Sequence, residues 1–127
     1  MENSGKSALG LDANVAAGLA YLPVCGINLI MSIIIIATDK TNKLARFHAF
    51  QSLLLLGTGI ILYIIAAMVI GVAAAANSSI LVMLGSLLWF VVIIGMLGAI
   101  IFACIKAFMG QMFKLPVLGD MADKWSN

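Results

Sequence analysis

From residue 13 onward the chain is three apolar runs punctuated by two short polar clusters, "TDKTNK" at 38–43 and "NSS" at 77–79. The runs cover 13–38, 43–76 and 80–109. Each exceeds the roughly 20 apolar residues that a helix needs to cross a bilayer. The pattern predicts an all-α membrane protein with three transmembrane helices. Asp12 or Asn14 can cap the first, Thr41 or Asn42 the second, and Ser78 or Ser79 the third. Inside the first run, "YLPVCGIN" holds Pro23 and Gly26, which remove a backbone hydrogen bond and loosen the helix. A kinked span is expected there. If the break folds back instead, the first run becomes a re-entrant pair and the chain has four membrane segments. Gly110 and Pro116 stop the third helix. They leave an interfacial tail, 110–127, whose Val117, Leu118, Met121 and Trp125 could share one face of a short segment. Residues 1–12 read as a small, polar, mobile N-terminal stretch.

Composition agrees. The chain is 64% hydrophobic and 9% charged, against about 25% charged in a typical soluble domain. Its 127 residues make one membrane domain. Lys40, Lys43 and Arg46 flank the first polar cluster, and Lys106, Lys114 and Lys124 follow the third run. The second cluster has no basic residue, and the N-terminal stretch has Lys6 alone. The positive-inside rule therefore puts the first loop and the C-terminal tail in the cytoplasm. The N-terminal stretch lies outside with three spans, or inside with a re-entrant pair. No basic cluster reads as nucleic-acid binding. Cys25 and Cys104 would differ in depth by ~18 Å on adjacent helices, too far for a disulfide.

The polar chemistry gathers at "RFHAFQS", 46–52, where the second run begins. On a helix, His48, Gln51 and Ser52 fall within about 100° of one another. They form a patch that can clasp another helix. Arg46 points away from it and, with Lys43, is expected to snorkel toward headgroup phosphates, with Trp125 as a further interface anchor. Asn28 and Ser32, one turn apart on the first helix, add a second helix-contact stripe. Nucleophilic catalysis needs a base, an orienting acid and a nucleophile within reach, and no acidic residue lies inside any predicted helix. No set of three or four zinc ligands is assembled. A non-enzymatic protein without a cofactor is the leading expectation. The alternative is axial ligation of a haem or chlorophyll-type pigment by His48, which needs only one residue. A mid-membrane transport site at the Pro23–Gly26 break is a third reading.

Little hydrophobic force drives helices together in lipid, so small residues matter for close approach. Ala67, Gly71 and Ala75 form one such stripe, and Gly95, Ala99 and Ala103 another. Three helices can hardly shield all this polar and small-residue surface. A homo-oligomer, or a complex with other membrane-protein subunits, is the expected context in the bilayer.

Three blocks carry a resemblance. Asn14, Val15, Ala16, Ala17 and Tyr21 form the first, and Arg46, Phe47, His48, Ala49, Gln51 and Ser52 the second. Phe113 through Asp120, "FKLPVLGD", form the third. In that order, across about residues 11–124, they resemble a family of small bacterial membrane proteins of unknown function. That family is distantly similar to a channel-like subunit of the chloroplast inner-envelope (Tic) translocon and to magnetosome-membrane proteins that influence magnetite crystal growth. The resemblance implies a translocon-like or scaffold component of a membrane assembly in a bacterial cytoplasmic (inner) membrane. The runner-up is an accessory subunit of an energy-transducing redox or photosynthetic complex.

Overall fold

The first apolar run does not form one helix. In the computed structural model, which describes residues 5–6, 10–21, 26–40 and 42–126, the run is split into α1 (Ala13–Leu19) and α2 (Ile27–Thr38). At 1.5 Å per residue these are ~10 and ~18 Å long, short of the ~30 Å hydrocarbon core. The Tyr21 N–H turns back to Gly18 O at 3.0 Å, tightening the end of α1. Gly26 sits at φ 74°, a left-handed conformation that only glycine adopts without cost, and from it α2 departs in a new direction. Pro23, Cys25 and Thr41 lie outside the described residues. Three full spans are thus not confirmed, and the all-helical fold is. Among the described residues two helices are long and apolar enough to cross a membrane, α3 (Lys43–Ala75) and α4 (Ser79–Phe108). A fifth, α5 (Leu118–Ser126), completes the described helices.

The chain divides into two units. The first, Met1–Leu55 with Ala99–Asn127, holds α1, α2, α5, the start of α3 and the end of α4. Here α1 is packed on two sides, and alanines allow the close approach. Ala13, Ala17 and Tyr21 meet Leu44, Ala103 and Ala107, while Ala16 and Ala20 meet Ile35, Ala45 and Ala49. Asn14 at the start of α1 donates to Phe108 O, in the last turn of α4, at 2.9 Å. Ala20 at its end lies against Ser32 and Ser52. From Ser32, α2 runs back to the level of Arg46, which reaches Ile36 O. So α1 and α2 form an antiparallel pair inside this unit.

Helix ends follow local chemistry. Asn42 Oδ1 accepts from the Ala45 N–H at 3.1 Å and caps α3, and Ser78 Oγ accepts from Leu81 N–H at 3.3 Å and caps α4. Gly110, at φ 75°, ends α4. Its N–H bonds Ala107 O and the Gln111 N–H bonds Lys106 O, both at 3.0 Å, the paired bonds of a Schellman stop. Asp12 stands at the N-cap of α1 but bonds Lys6 at 3.2 Å instead of the helix.

The second unit, Leu56–Gly98, is a helical hairpin. Its seam runs through Gly59, Ala66 and Ala73, seven residues apart, the spacing of a left-handed two-helix contact. A Cβ on Gly59 would stand 2.9 Å from Met96 Cε, and one on Gly85 3.1 Å from Ile70 Cγ1. Tyr63 packs on Trp89 with ring centroids 4.7 Å apart. Ala67, Gly71, Ala75 and Gly95 lie outside this seam and are exposed. Within the first unit, Ala99 is half-buried and Ala103 is buried among α1 and α3 residues.

A polar knot at the start of the third helix

His48, Gln51 and Ser52 are all buried on one face of α3. Their partners come from two directions. Beyond Gly110 residues 111–115 form no helix, and backbone groups of residues 111, 113 and 115 all meet side chains of α3. His48 Nε2 donates to Gln111 O at 2.7 Å. Gln51 Nε2 donates to Phe113 O at 3.0 Å, and Gln51 Oε1 accepts from the Leu115 N–H at 3.0 Å. The amide thus offers the donor and acceptor that a residue in a parallel strand would offer on either side of position 114. From the turn just past α1, the Tyr21 hydroxyl meets His48 Nδ1 at 2.9 Å and accepts from Gln51 Nε2 at 2.7 Å.

These bonds admit one consistent proton arrangement. A carbonyl only accepts, so the imidazole proton sits on Nε2. Nδ1 then accepts from the Tyr21 O–H, whose oxygen takes the second Gln51 N–H. Among the described residues no buried side-chain nitrogen or oxygen is left without a partner. Edge contacts from the Tyr21 and Phe47 rings, with centroids 5.3 and 4.9 Å away, close the imidazole in. Both ring nitrogens are occupied, so neither offers a free lone pair to an iron or magnesium centre.

Ser52 Oγ and Ser32 Oγ converge on Ala20 O, the carbonyl just past the end of α1. They satisfy an acceptor that a helix end would otherwise leave open. Asn28 is half-buried in the first turn of α2.

Arg46 does something other than reach for headgroups. It is only 9% exposed. Its Nη1 donates to Asp39 O at 2.8 Å and Ile36 O at 3.0 Å, and its Nε to Ser126 O at 3.3 Å. The guanidinium thereby satisfies carbonyls at the C-terminal ends of both α2 and α5, where the helix dipoles are negative. It also lies 5.5 Å from the centroid of the Phe50 ring, on which Trp125 packs edge-on at 6.2 Å. Sequence position alone gives no hint of this, because the three acceptors are backbone groups.

Lys43 is drawn into the fold as well. Its Nζ lies 2.9 Å from Asp123 Oδ1, while Lys114 holds Asp123 Oδ2 at 2.9 Å and Asp120 at 3.5 Å. Hydrogen bonds from Lys43 and then Lys114 hold the Asp123 carboxyl below its ordinary 3.8. The bond to Asp123 is the main cause that raises the Lys114 ammonium above its ordinary 10.5. A depressed carboxylate stabilises the fold above its unfolded value and loses that effect as pH falls through the folded one. A raised ammonium stabilises below its unfolded value and loses that effect as pH rises through the folded one. The tether on α5 is therefore at full strength between 3.8 and 10.5. Because the pairs are half-buried to exposed, the contribution is modest and salt-screened. Asp123→Asn is expected to speed protease cleavage within 118–126 by about threefold at low salt, and far less at high salt. An equal effect at both salt concentrations would show that the pairs do not act as ion pairs.

With this geometry in view, the comparisons place the chain among known proteins. The model of the magnetosome magnetite crystal formation protein family matches residues 9–122. The chain belongs to that family. Two UPF0132 membrane proteins of Methanocaldococcus jannaschii are also similar. One is 34% identical over 122 residues, 96% of this chain and 96% of its own length. The other is 33% identical over 120 residues, 93% of this chain and 73% of its own length. The family match spans the whole knot, from α1 through Leu115. Both named relatives are archaeal. No solved structure matches the chain.

Proposed function

We propose that this chain is a non-enzymatic structural component of the membrane, a scaffold that holds a rigid polar unit and offers an apolar hairpin to neighbours. One observation carries this reading. The polar side chains that would do chemistry, His48, Gln51, Ser52 and Tyr21, are bonded to the chain's own backbone or to one another. A translocon-like component rests on resemblance alone, and the geometry favours the scaffold, since a conduit would leave such groups open to a passing chain. The occupied imidazole speaks against the pigment- or haem-binding alternative. The family's description names magnetite crystal formation. Among the described residues, however, no group of three or more His, Cys, Asp or Glu could hold a metal ion, and Asp120 and Asp123 are tied to lysines.

The seat of this scaffold is a cytoplasmic membrane, bacterial by the resemblance, with the lysine-rich end inward. The short α1–α2 pair would then be re-entrant. Lys6, bonded to Asp12 at the start of α1, would share the inner side with the other six basic residues, which is the distribution the positive-inside rule favours.

Lateral partners would use the face that the hairpin does not. Ala67, Gly71 and Ala75 are exposed beside a groove of about 480 Å³ lined by Ala67, Ile70, Gly71, Ser86 and Trp89. Small residues beside a hydroxyl suit close helix contact in lipid. In a chain with Cys25 and Cys104 replaced by serine, Gly71→Cys is expected to crosslink in native membranes, to a second copy or to one defined partner. Ile94→Cys, also exposed, serves as the reference. Equal, diffuse reactivity at both positions would contradict a scaffold that packs through this face.

A further inference from the structure

We propose that the Arg46-centred end of the first unit is an anionic-phospholipid docking surface, with Lys40, Lys124 and Trp125 as its contact residues. Four cations at this end are already engaged. Lys43 and Lys114 are committed to Asp123 and Asp120. Arg46 is committed to three carbonyls. Lys106 lies 5.4 Å from the centroid of the Phe102 ring. Lys40 and Lys124 are exposed and have no carboxylate within ion-pair distance among the described residues. Lys40 makes only a long 3.4 Å bond to Ile36 O.

Arg46 brings these two lysines together. It bonds Asp39 O, next to Lys40, and Ser126 O, next to Trp125 and close to Lys124. The C-terminal ends of α2 and α5 therefore meet at one guanidinium, with an ammonium outside the ion pairs at the edge of each. Trp125 is 47% exposed, its ring edge-on to Phe50. An indole with one side packed and one side free, flanked by unpaired lysines, suits the headgroup level of a bilayer. The end as a whole carries Lys40, Lys43, Arg46, Lys106, Lys114 and Lys124 against Asp39, Asp120 and Asp123. That surplus of positive charge complements lipid phosphates. It adjoins the apolar helices, and a soluble anion would gain nothing from that continuity. This inference does not depend on lateral packing of the hairpin.

The test uses the full chain in detergent, with Trp89→Phe leaving Trp125 as the sole indole. Brominated phosphatidylglycerol or brominated phosphatidylcholine is titrated in, and quenching of Trp125 is followed. A lysine near an anionic surface contributes about fivefold in affinity. Phosphatidylglycerol is therefore expected to quench at lower mole fraction than phosphatidylcholine. K40Q/K124Q should weaken the phosphatidylglycerol response about thirtyfold, and K40R/K124R should retain it. Inorganic phosphate should leave the response unchanged. Equal quenching by the two lipids, an unaltered response in K40Q/K124Q, or displacement by inorganic phosphate would each overturn the proposal. The last would mean a free-anion site. Circular dichroism of the variants confirms that the helices are intact.

Discussion

Arg46→Ala is expected to release both α2 and α5 and to cost about 3 kcal/mol or more, the largest effect of any single change outside the apolar core. Hydrogen bonds to a charged donor contribute about 1.5–3 kcal/mol each, and three are lost. The acceptors left behind are backbone carbonyls at two helix ends; Ile36 O keeps only its long 3.4 Å bond from Lys40, and Asp39 O and Ser126 O lose the guanidinium. Arg46→Lys should recover less than half of the loss. An ammonium is a point donor and cannot span Ile36 O, Asp39 O and Ser126 O at once. Thermal unfolding in detergent, read by far-UV circular dichroism alongside protease cleavage within 118–126, measures both effects. An Arg46→Ala chain that unfolds within a degree or two of the parent, with α5 still protected, would mean the guanidinium faces lipid after all.

The second large effect belongs to Gln51. Replacement by leucine keeps the volume and removes one acceptor and two donors. Phe113 O, the Leu115 N–H and the Tyr21 hydroxyl oxygen each lose a partner in a buried setting. Each unsatisfied buried group costs about 1–3 kcal/mol, with partial relief from water. A net loss of about 2 kcal/mol is expected, and it should be local to the tail. The Leu115 amide should then exchange its hydrogen about thirtyfold faster, while amides within the hairpin keep their protection. Unchanged exchange at Leu115 would show that the 111–115 segment is held by something other than this side chain.

The sequence discloses these features unevenly, and the reasons are physical. Helix ends are legible because their chemistry is local. Asn42, Ser78 and Gly110 act within four residues of where they stand. The shared face of His48, Gln51 and Ser52 is legible too, since helical geometry fixes it before any partner is known. Their partners are not. Gln111 and Phe113 contribute carbonyls 63 and 62 positions away, and a carbonyl is the same on every residue. Arg46 misleads for the same reason: its neighbours in sequence suggest a membrane surface, and its acceptors carry no signature.

Hydropathy also cannot tell one long helix from two short ones. The run 13–38 is largely apolar, and its division shows only in the turn at Ala20 and Tyr21 and in the left-handed Gly26. The pattern that marks α1 as an inner helix is its alanines, Ala13, Ala16, Ala17 and Ala20, spaced to allow contact on two sides. The small-residue stripes show a further limit. Four-residue spacing draws the eye to Ala67, Gly71 and Ala75, while the hairpin closes through Gly59, Ala66 and Ala73. Both sets are small, and only the pairing of the two helices decides which set faces inward.

The polar cluster of α3 closes on itself as an internal knot. Because His48 is the only histidine in the chain, nitrogen NMR of its imidazole tests this directly. The protein would be labelled at histidine and held in lipid nanodiscs. The account predicts a single tautomer, with the proton on Nε2 and Nδ1 showing the shift of a hydrogen-bond acceptor. A proton on Nδ1, rapid averaging between tautomers, or the signature of a metal-bound nitrogen would contradict it.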